Sequence, residues 1–142
     1  MKNQKEKKAV KSVQEFLSVL LDPNRFEKRP DGWVKDKLLG VEWGPSSGER
    51  MTFTTAKKFC SDQGGRLPTI EEIHSLVDYD AHDPAVMDMF SKDTKRNWYW
   101  SCTKHLEYTD SVWCVGFKYG DACSNHKDFF CYVRPVCRSA SQ

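Results

Sequence analysis

Long apolar runs are missing from this chain. No stretch of about 20 apolar residues occurs among its 142, so no segment reads as a membrane-spanning helix. Internal repeats and low-complexity tracts are missing too, and the length suits one domain with a short extension. Charge of one sign is not in excess: the net value is +2. It is unevenly placed, with five Lys against Glu6 in residues 1–11, twelve acids against seven bases in residues 31–93, and seven bases against four acids in residues 95–138. The dense basic stripe expected of a nucleic-acid reader is absent. The pattern reads as a solvated basic tail and ordinary surface charge.

Chemistry-bearing motifs are equally scarce. There is no phosphate-cradling glycine loop. Cys-x2-Cys is absent as well. His126 lies between Cys123 and Cys131, and with Cys137 these supply the residue types of a Cys3His zinc site, but the spacing fits no common ligand knuckle. Asp78-Tyr79-Asp80-Ala81-His82-Asp83 carries oxygens of the kind calcium needs, without the glycine and terminal Glu of an EF-hand loop. It reads as a helix end with a solvated acidic turn. We therefore assign no catalytic residue, no metal and no cofactor, and expect a protein that is not an enzyme.

The basic N-terminus would suit a signal peptide, but Lys11, Gln14 and Glu15 break the apolar segment and no small-residue cleavage site follows. The expected location is cytoplasmic, or the cell surface or a virion if export takes another route. Residues 9–21 read as an amphipathic helix with Val10, Val13, Phe16, Leu17, Leu20 and Leu21 on one broad face, ended by Asp22-Pro23-Asn24. That face is expected to pack on its own domain or to form a homo-oligomer interface. The organisation is thus an extension over 1–24 and a domain over 25–142.

What the chain does have is aromatic weight and punctuation. Eight Phe, five Trp and five Tyr concentrate apolar area into few side chains. Thr54-Thr55-Ala56-Lys57-Lys58-Phe59-Cys60 reads as a helix with a hydroxyl available for its N-cap. Gly64-Gly65 ends it, Pro68 prevents continuation, and Thr69 with Glu72 forms a Thr-x-x-Glu capping box for a second helix whose Ile70, Ile73, Leu76 and Val77 share a face. Strands are expected at 98–103, 111–117 and 129–137, with turns at Gly120-Asp121 and Ser124-Asn125. Helices followed by strands predict an α+β domain, two helices on a mainly antiparallel sheet. Trp43, Leu67, Trp100, Trp113, Phe117 and Tyr132 are its expected core, and Arg66 and Arg134 are expected to tie segments together.

The ordered set Asp31-Gly32-Trp33-Val34 with Asp36, Gly40-Val41-Glu42-Trp43, Arg66-Leu67-Pro68-Thr69, Leu76-Val77-Asp78, Tyr99-Trp100-Ser101, Val112-Trp113 with Phe117 and Gly120, and Tyr132-Val133-Arg134 closing on Cys137-Arg138 resembles the DUF1566 family. Its best-known member domain is the C-terminal domain of the Legionella collagen-like adhesin. The resemblance covers roughly Arg25 to Arg138 and implies a C-type-lectin-like fold. The chain departs from the family pattern at Gly65, where an aromatic is usual, and at Cys102, where a small hydroxyl residue is usual. The Arg-Leu-Pro-Thr-x-x-Glu stretch is also similar to formylglycine-generating enzymes, which are roughly twice this length.

Six cysteines, Cys60, Cys102, Cys114, Cys123, Cys131 and Cys137, allow 15 connectivities, and spacing chooses none. Reduced, buried thiols and at least one disulfide both remain open. The fold resemblance implies one link, Cys60 to Cys137. It also implies a binding module that recognises a protein or a sulfated or acidic glycan; the rival is an intracellular or phage-borne protein that binds and inhibits a host protein, and the remaining alternative is a small metal- or thiol-dependent enzyme. Recognition is expected in the loops 103–110 and 118–128, through Lys104, His105, Glu107, Tyr108, Lys118, Tyr119, Asn125, His126 and Lys127, since amphipathic side chains give contact area at low entropic cost.

Overall fold

The computed structural model describes residues 22–139 without interruption, and residues 13–15, 17, 18 and 20 ahead of them. Much of the amphipathic helix expected over 9–21 lies outside the described residues. The described part is helical, with Val13 and Leu17 exposed and Leu20 half-buried.

The chain forms strands β1 (Phe26–Lys28), β2 (Val34–Asp36) and β3 (Val41–Trp43), helices α1 (Phe53–Asp62) and α2 (Ile70–His74), strands β4 (Trp98–Lys104), β5 (Ser111–Gly116) and β6 (Asp121–His126), and strand β7 (Val136–Arg138). They make two antiparallel sheets, ordered β1-β2-β3-β7 and β4-β5-β6. The α+β class is as expected, with two sheets in place of one. A third strand over 129–137 does not form: Cys131 and Tyr132 make single bridges to Met51 and Tyr99, and only Val136–Arg138 pairs continuously, with β3. The third strand beside β5 is instead Asp121–His126, part of the segment expected to be a loop. It is a polar edge strand that lacks apolar alternation, so its sequence gives no strand signal.

Local chemistry explains the helices. Gly64, at φ +82°, reverses the chain after α1. The expected hydroxyl cap does not form: the N-cap is Thr52, and its Oγ1 donates to Thr55 Oγ1 instead of accepting from the backbone. At α2 the capping box is complete. Thr69 Oγ1 accepts from Glu72 N (3.1 Å), and Glu72 Oε1 accepts from Thr69 N (2.8 Å). Arg66 donates to both Glu72 carboxylate oxygens (2.8 and 3.0 Å), which fastens the turn between the helices.

Gly65 occupies the family's usual aromatic position for a steric reason. A Cβ there would stand 2.7 Å from the Val136 carbonyl oxygen, because Arg66 pairs with Val136 by backbone bonds in both directions.

Two apolar clusters fill the interior. One gathers Trp43, Ile73, Leu76, Phe90, Tyr99 and Phe117 between the sheets and α2; the other gathers Phe53, Cys60, Leu67, Trp100, Cys114 and Cys131 beside α1. Of the expected core, Trp43, Leu67, Trp100 and Phe117 are buried, whereas Trp113 and Tyr132 are only half-buried. Charged groups cross the interior in pairs. Arg25 and Asp36, both buried, form two side-chain bonds of 3.0 and 2.9 Å, and Trp43 Nε1 donates to the same carboxylate at 3.0 Å. Arg134 reaches Asp93, the Gly44 carbonyl and Thr94 Oγ1, and so ties segments as expected.

Burial alone would raise the Glu72 and Asp93 carboxyls. The hydrogen bonds and charge of Arg66 hold the first below its usual range, and those of Arg134 do the same for the second, with backbone N–H groups adding to both. A lowered folded value gives stability that is full above the ordinary carboxylate range, near 4, and is lost as pH falls through the folded values. The melting temperature should therefore drop below about pH 4. The double variant Glu72→Gln/Asp93→Asn should show a shallower drop by circular dichroism, and parallel curves would refute the assignment.

Candidate functional site

The two loops expected to recognise a ligand do not share a surface. Residues 105–110 join β4 to β5, whereas the turn Phe117–Gly120 joins β5 to β6, so they sit at opposite ends of one antiparallel sheet. The return of β6 brings His126 and Lys127 back to the first end. Lys127 N donates to the Asp110 carbonyl at 2.9 Å, and its Nζ lies 3.4 Å from Asp110 Oδ1. Phe53 N, at the start of α1, donates to the Lys127 carbonyl. The first end therefore assembles the β4–β5 loop, the turn after β6 and the N-terminus of α1.

This end carries exposed apolar side chains: Leu106 (98%), Tyr108 (61%), Phe129 (57%) and Phe130 (61%). His105 organises the loop. Its Nδ1 accepts from the backbone N–H groups of Glu107 and Tyr108, both at 3.1 Å. Its ring stacks on Trp113 (centroids 5.2 Å, 21° between planes) and meets Tyr108 on a second side (4.9 Å, 40°). Trp113 is thus the foot of a three-ring platform, which accounts for its half-burial. His126 Nδ1 likewise accepts from Asp128 N at 3.2 Å.

Lys104 and Glu107 are exposed at this same end. Asn125 is half-buried, and its Nδ2 points at Cys131 Sγ, 3.7 Å away. Lys118 and Tyr119 belong to the far end, with Lys118 Nζ 5.3 Å from the Tyr119 ring centroid. There Tyr79 donates to the Gly120 carbonyl (3.0 Å) and lies 3.1 Å from His74 Nε2. The two residues line an open cleft of about 900 Å³ with Leu20, Ile70, Val77 and Met87, and the acidic turn residues Asp78 and Asp80 form part of its wall. Among the described residues, no group of three or more His, Cys, Asp or Glu is arranged to hold a metal ion.

Leu106, Phe129 and Phe130 escaped the sequence reading. The Phe pair looked like the start of a buried strand. The signal against that was local: His126-Lys127-Asp128 is a polar turn, and two adjacent rings cannot both enter a core from one extended face.

In the structure Cys60 and Cys137 are not bonded to each other, and the other four cysteines are likewise unbonded. Cys60 is enclosed in the α1 cluster, where burial pushes its thiol up to about 12. Cys137 is half-exposed on β7 opposite Glu42, with its thiol also raised by burial and the Glu42 charge, partly offset by Arg29 and Arg66. One thiol faces apolar core and the other a charged surface.

Residues 32–137 match the family described as the Lcl C-terminal domain, that of the Legionella collagen-like protein. No curated protein matches the chain.

Proposed function

Because the chain belongs to the Lcl C-terminal domain family, we propose that it is a non-enzymatic, adhesin-like binding module whose recognition surface is the aromatic end of the β4–β5–β6 sheet. The observation that carries this reading is the exposure of Leu106, Tyr108, Phe129 and Phe130 around the His105–Trp113 stack. Four large apolar side chains held at one end by backbone hydrogen bonds resemble the anchor cluster of a protein interface, where a few aromatic side chains dominate binding. The ligand is a protein surface with an apolar centre. A sulfated glycan calls for a cluster of free cations, and of the two lysines named at this end Lys127 lies beside Asp110. The fold reading that goes with it is C-type-lectin-like. Its support is that the N- and C-terminal strands share one sheet while the middle of the chain builds a second that displays the loops.

The test uses the full chain on two supports, a host-cell surface-protein extract and a heparin column. Leu106→Ser/Tyr108→Ala/Phe130→Ser should reduce capture of surface proteins more than about tenfold. Its stability should stay within about 0.5 kcal/mol of the parent, since the positions are exposed. Lys118→Ala/Tyr119→Ala, at the far end, should change neither. Undiminished capture by the triple variant would move the site away from this end. Heparin retention that falls steeply with salt and depends on Lys104 and Lys127 would replace the protein ligand by a sulfated glycan.

A further inference from the structure

Three of the six cysteines converge on one face of the β4–β5–β6 sheet. Cys114 on β5 stands directly opposite Cys123 on β6 and opposite Trp100 on β4, so the three side chains share a face. Two residues along, Asn125 lies opposite Val112 on that same face, and its Nδ2 contacts Cys131 Sγ at 3.7 Å. Cys131 therefore covers this face from the segment that follows Phe129–Phe130. Its backbone fixes it there through two bonds with Met51 (2.8 and 3.0 Å). Cys114 and Cys131 are both buried in the α1 cluster and close enough for each thiol to perturb the other, Cys114 Sγ donates to the Val112 carbonyl at 3.4 Å, and Cys123 is partly exposed.

We propose that Cys114 and Cys131 are a disulfide-forming pair, with Cys123 as the thiol through which a small-molecule disulfide reaches them. Cys114 and Cys131 are enclosed, so an oxidant meets Cys123 first. The Cys123 thiolate attacks a small disulfide such as oxidised glutathione, forming a mixed disulfide and releasing one glutathione thiolate. The Cys131 thiolate then attacks the Cys123 sulfur, forms a Cys123–Cys131 bond and releases the second glutathione thiolate. Cys114 finally attacks the Cys131 sulfur and returns Cys123 as a thiol. Two protein thiols are oxidised, one glutathione disulfide is reduced to two glutathiones, and the two thiol protons end on those products. The bond fastens the chain just after Phe129–Phe130 to the central strand. Its effect on recognition rests on the reading above, but the bond itself does not.

Native full-length protein is incubated with oxidised glutathione, quenched in acid and mapped by non-reducing peptide mass spectrometry. The expected result is loss of two titratable thiols, a Cys114–Cys131 cross-linked peptide, and slower hydrogen exchange at residues 129–132. Cys123→Ser should reach the same product at least about tenfold more slowly, because rates follow access of the attacking thiolate. Cys114→Ala should stop at a Cys123–Cys131 bond or a glutathione adduct on Cys123. Recovery of Cys114 and Cys131 as thiols while exposed Cys102 is modified would overturn the proposal. So would a dominant bond to Cys60 or Cys137, or oxidation of Cys123→Ser at the parent rate, which would remove the entry thiol.

Discussion

Replacing Asp36 by Ala should destabilise the domain by about 3–5 kcal/mol, the range for removing one partner of a buried ion pair. Asp36 accepts from Arg25 twice and from Trp43 Nε1, and its Oδ1 also accepts from the backbone N–H groups of Leu38 and Leu39. Removing it strands a guanidinium that is itself enclosed, with Ser75 as its remaining partner. It also leaves the indole of a fully buried Trp43 without an acceptor. Asp36→Asn keeps the shape and loses the charge, so it should also be clearly destabilising. The triple variant Arg25→Met/Asp36→Leu/Trp43→Phe should recover part of the loss, since buried ion pairs can be replaced by packed apolar groups. Chemical denaturation measures all three. An Asp36→Ala cost below about 1 kcal/mol would mean that water reaches Arg25 and that the pair is not structural.

Trp100→Ala should have an effect of the same order, about 3–5 kcal/mol, because it empties a large volume in a packed cluster. The Trp100 ring is completely buried, meets Phe53 edge-on at 5.6 Å, and donates from Nε1 to the Met51 carbonyl at 2.7 Å. Met51 in turn holds Cys131, so the cavity falls at the junction of α1, β4 and the chain beyond β6, and the Met51 carbonyl keeps only the Cys131 N–H as donor. Trp100→Phe keeps most of the volume and loses the hydrogen bond, and should cost about 1–2 kcal/mol. Trp113→Ala provides the contrast. Trp113 is half-buried and stacks with His105, so its loss should affect stability less than that of Trp100 and reduce partner capture more. Equal stability losses for the two tryptophans would place Trp113 in the core and remove the platform from the proposed surface.

The α2 cap, the glycine reversal after α1, the Arg66 tie and strands β4 and β5 were legible because their signals act within a few residues or repeat with a fixed period. The proposed recognition end was legible only in half. His105, Tyr108, His126 and Lys127 were named from composition, but the same reasoning joined them to Lys118 and Tyr119, which the β5–β6 hairpin sends to the opposite end. Leu106 and the Phe129–Phe130 pair were missed because an apolar residue reads as core until the neighbours that fail to cover it are known.

The sequence by itself determined the α+β class, the helix stop, bend and restart around Gly64–Glu72, and the large side chains available for a core. Those depend on backbone conformation and on hydrogen bonds made three or four residues away. Only the tertiary structure decided that the polar segment Asp121–His126 is a strand, because its pairing is supplied by β5 and not by its own side chains. It also decided that Gly65 must be glycine, through a carbonyl 71 positions later in the chain at Val136. The three thiols of Cys114, Cys123 and Cys131 meet for the same reason: sheet register and chain return set which side chains share a face, and those are properties of distant segments brought together.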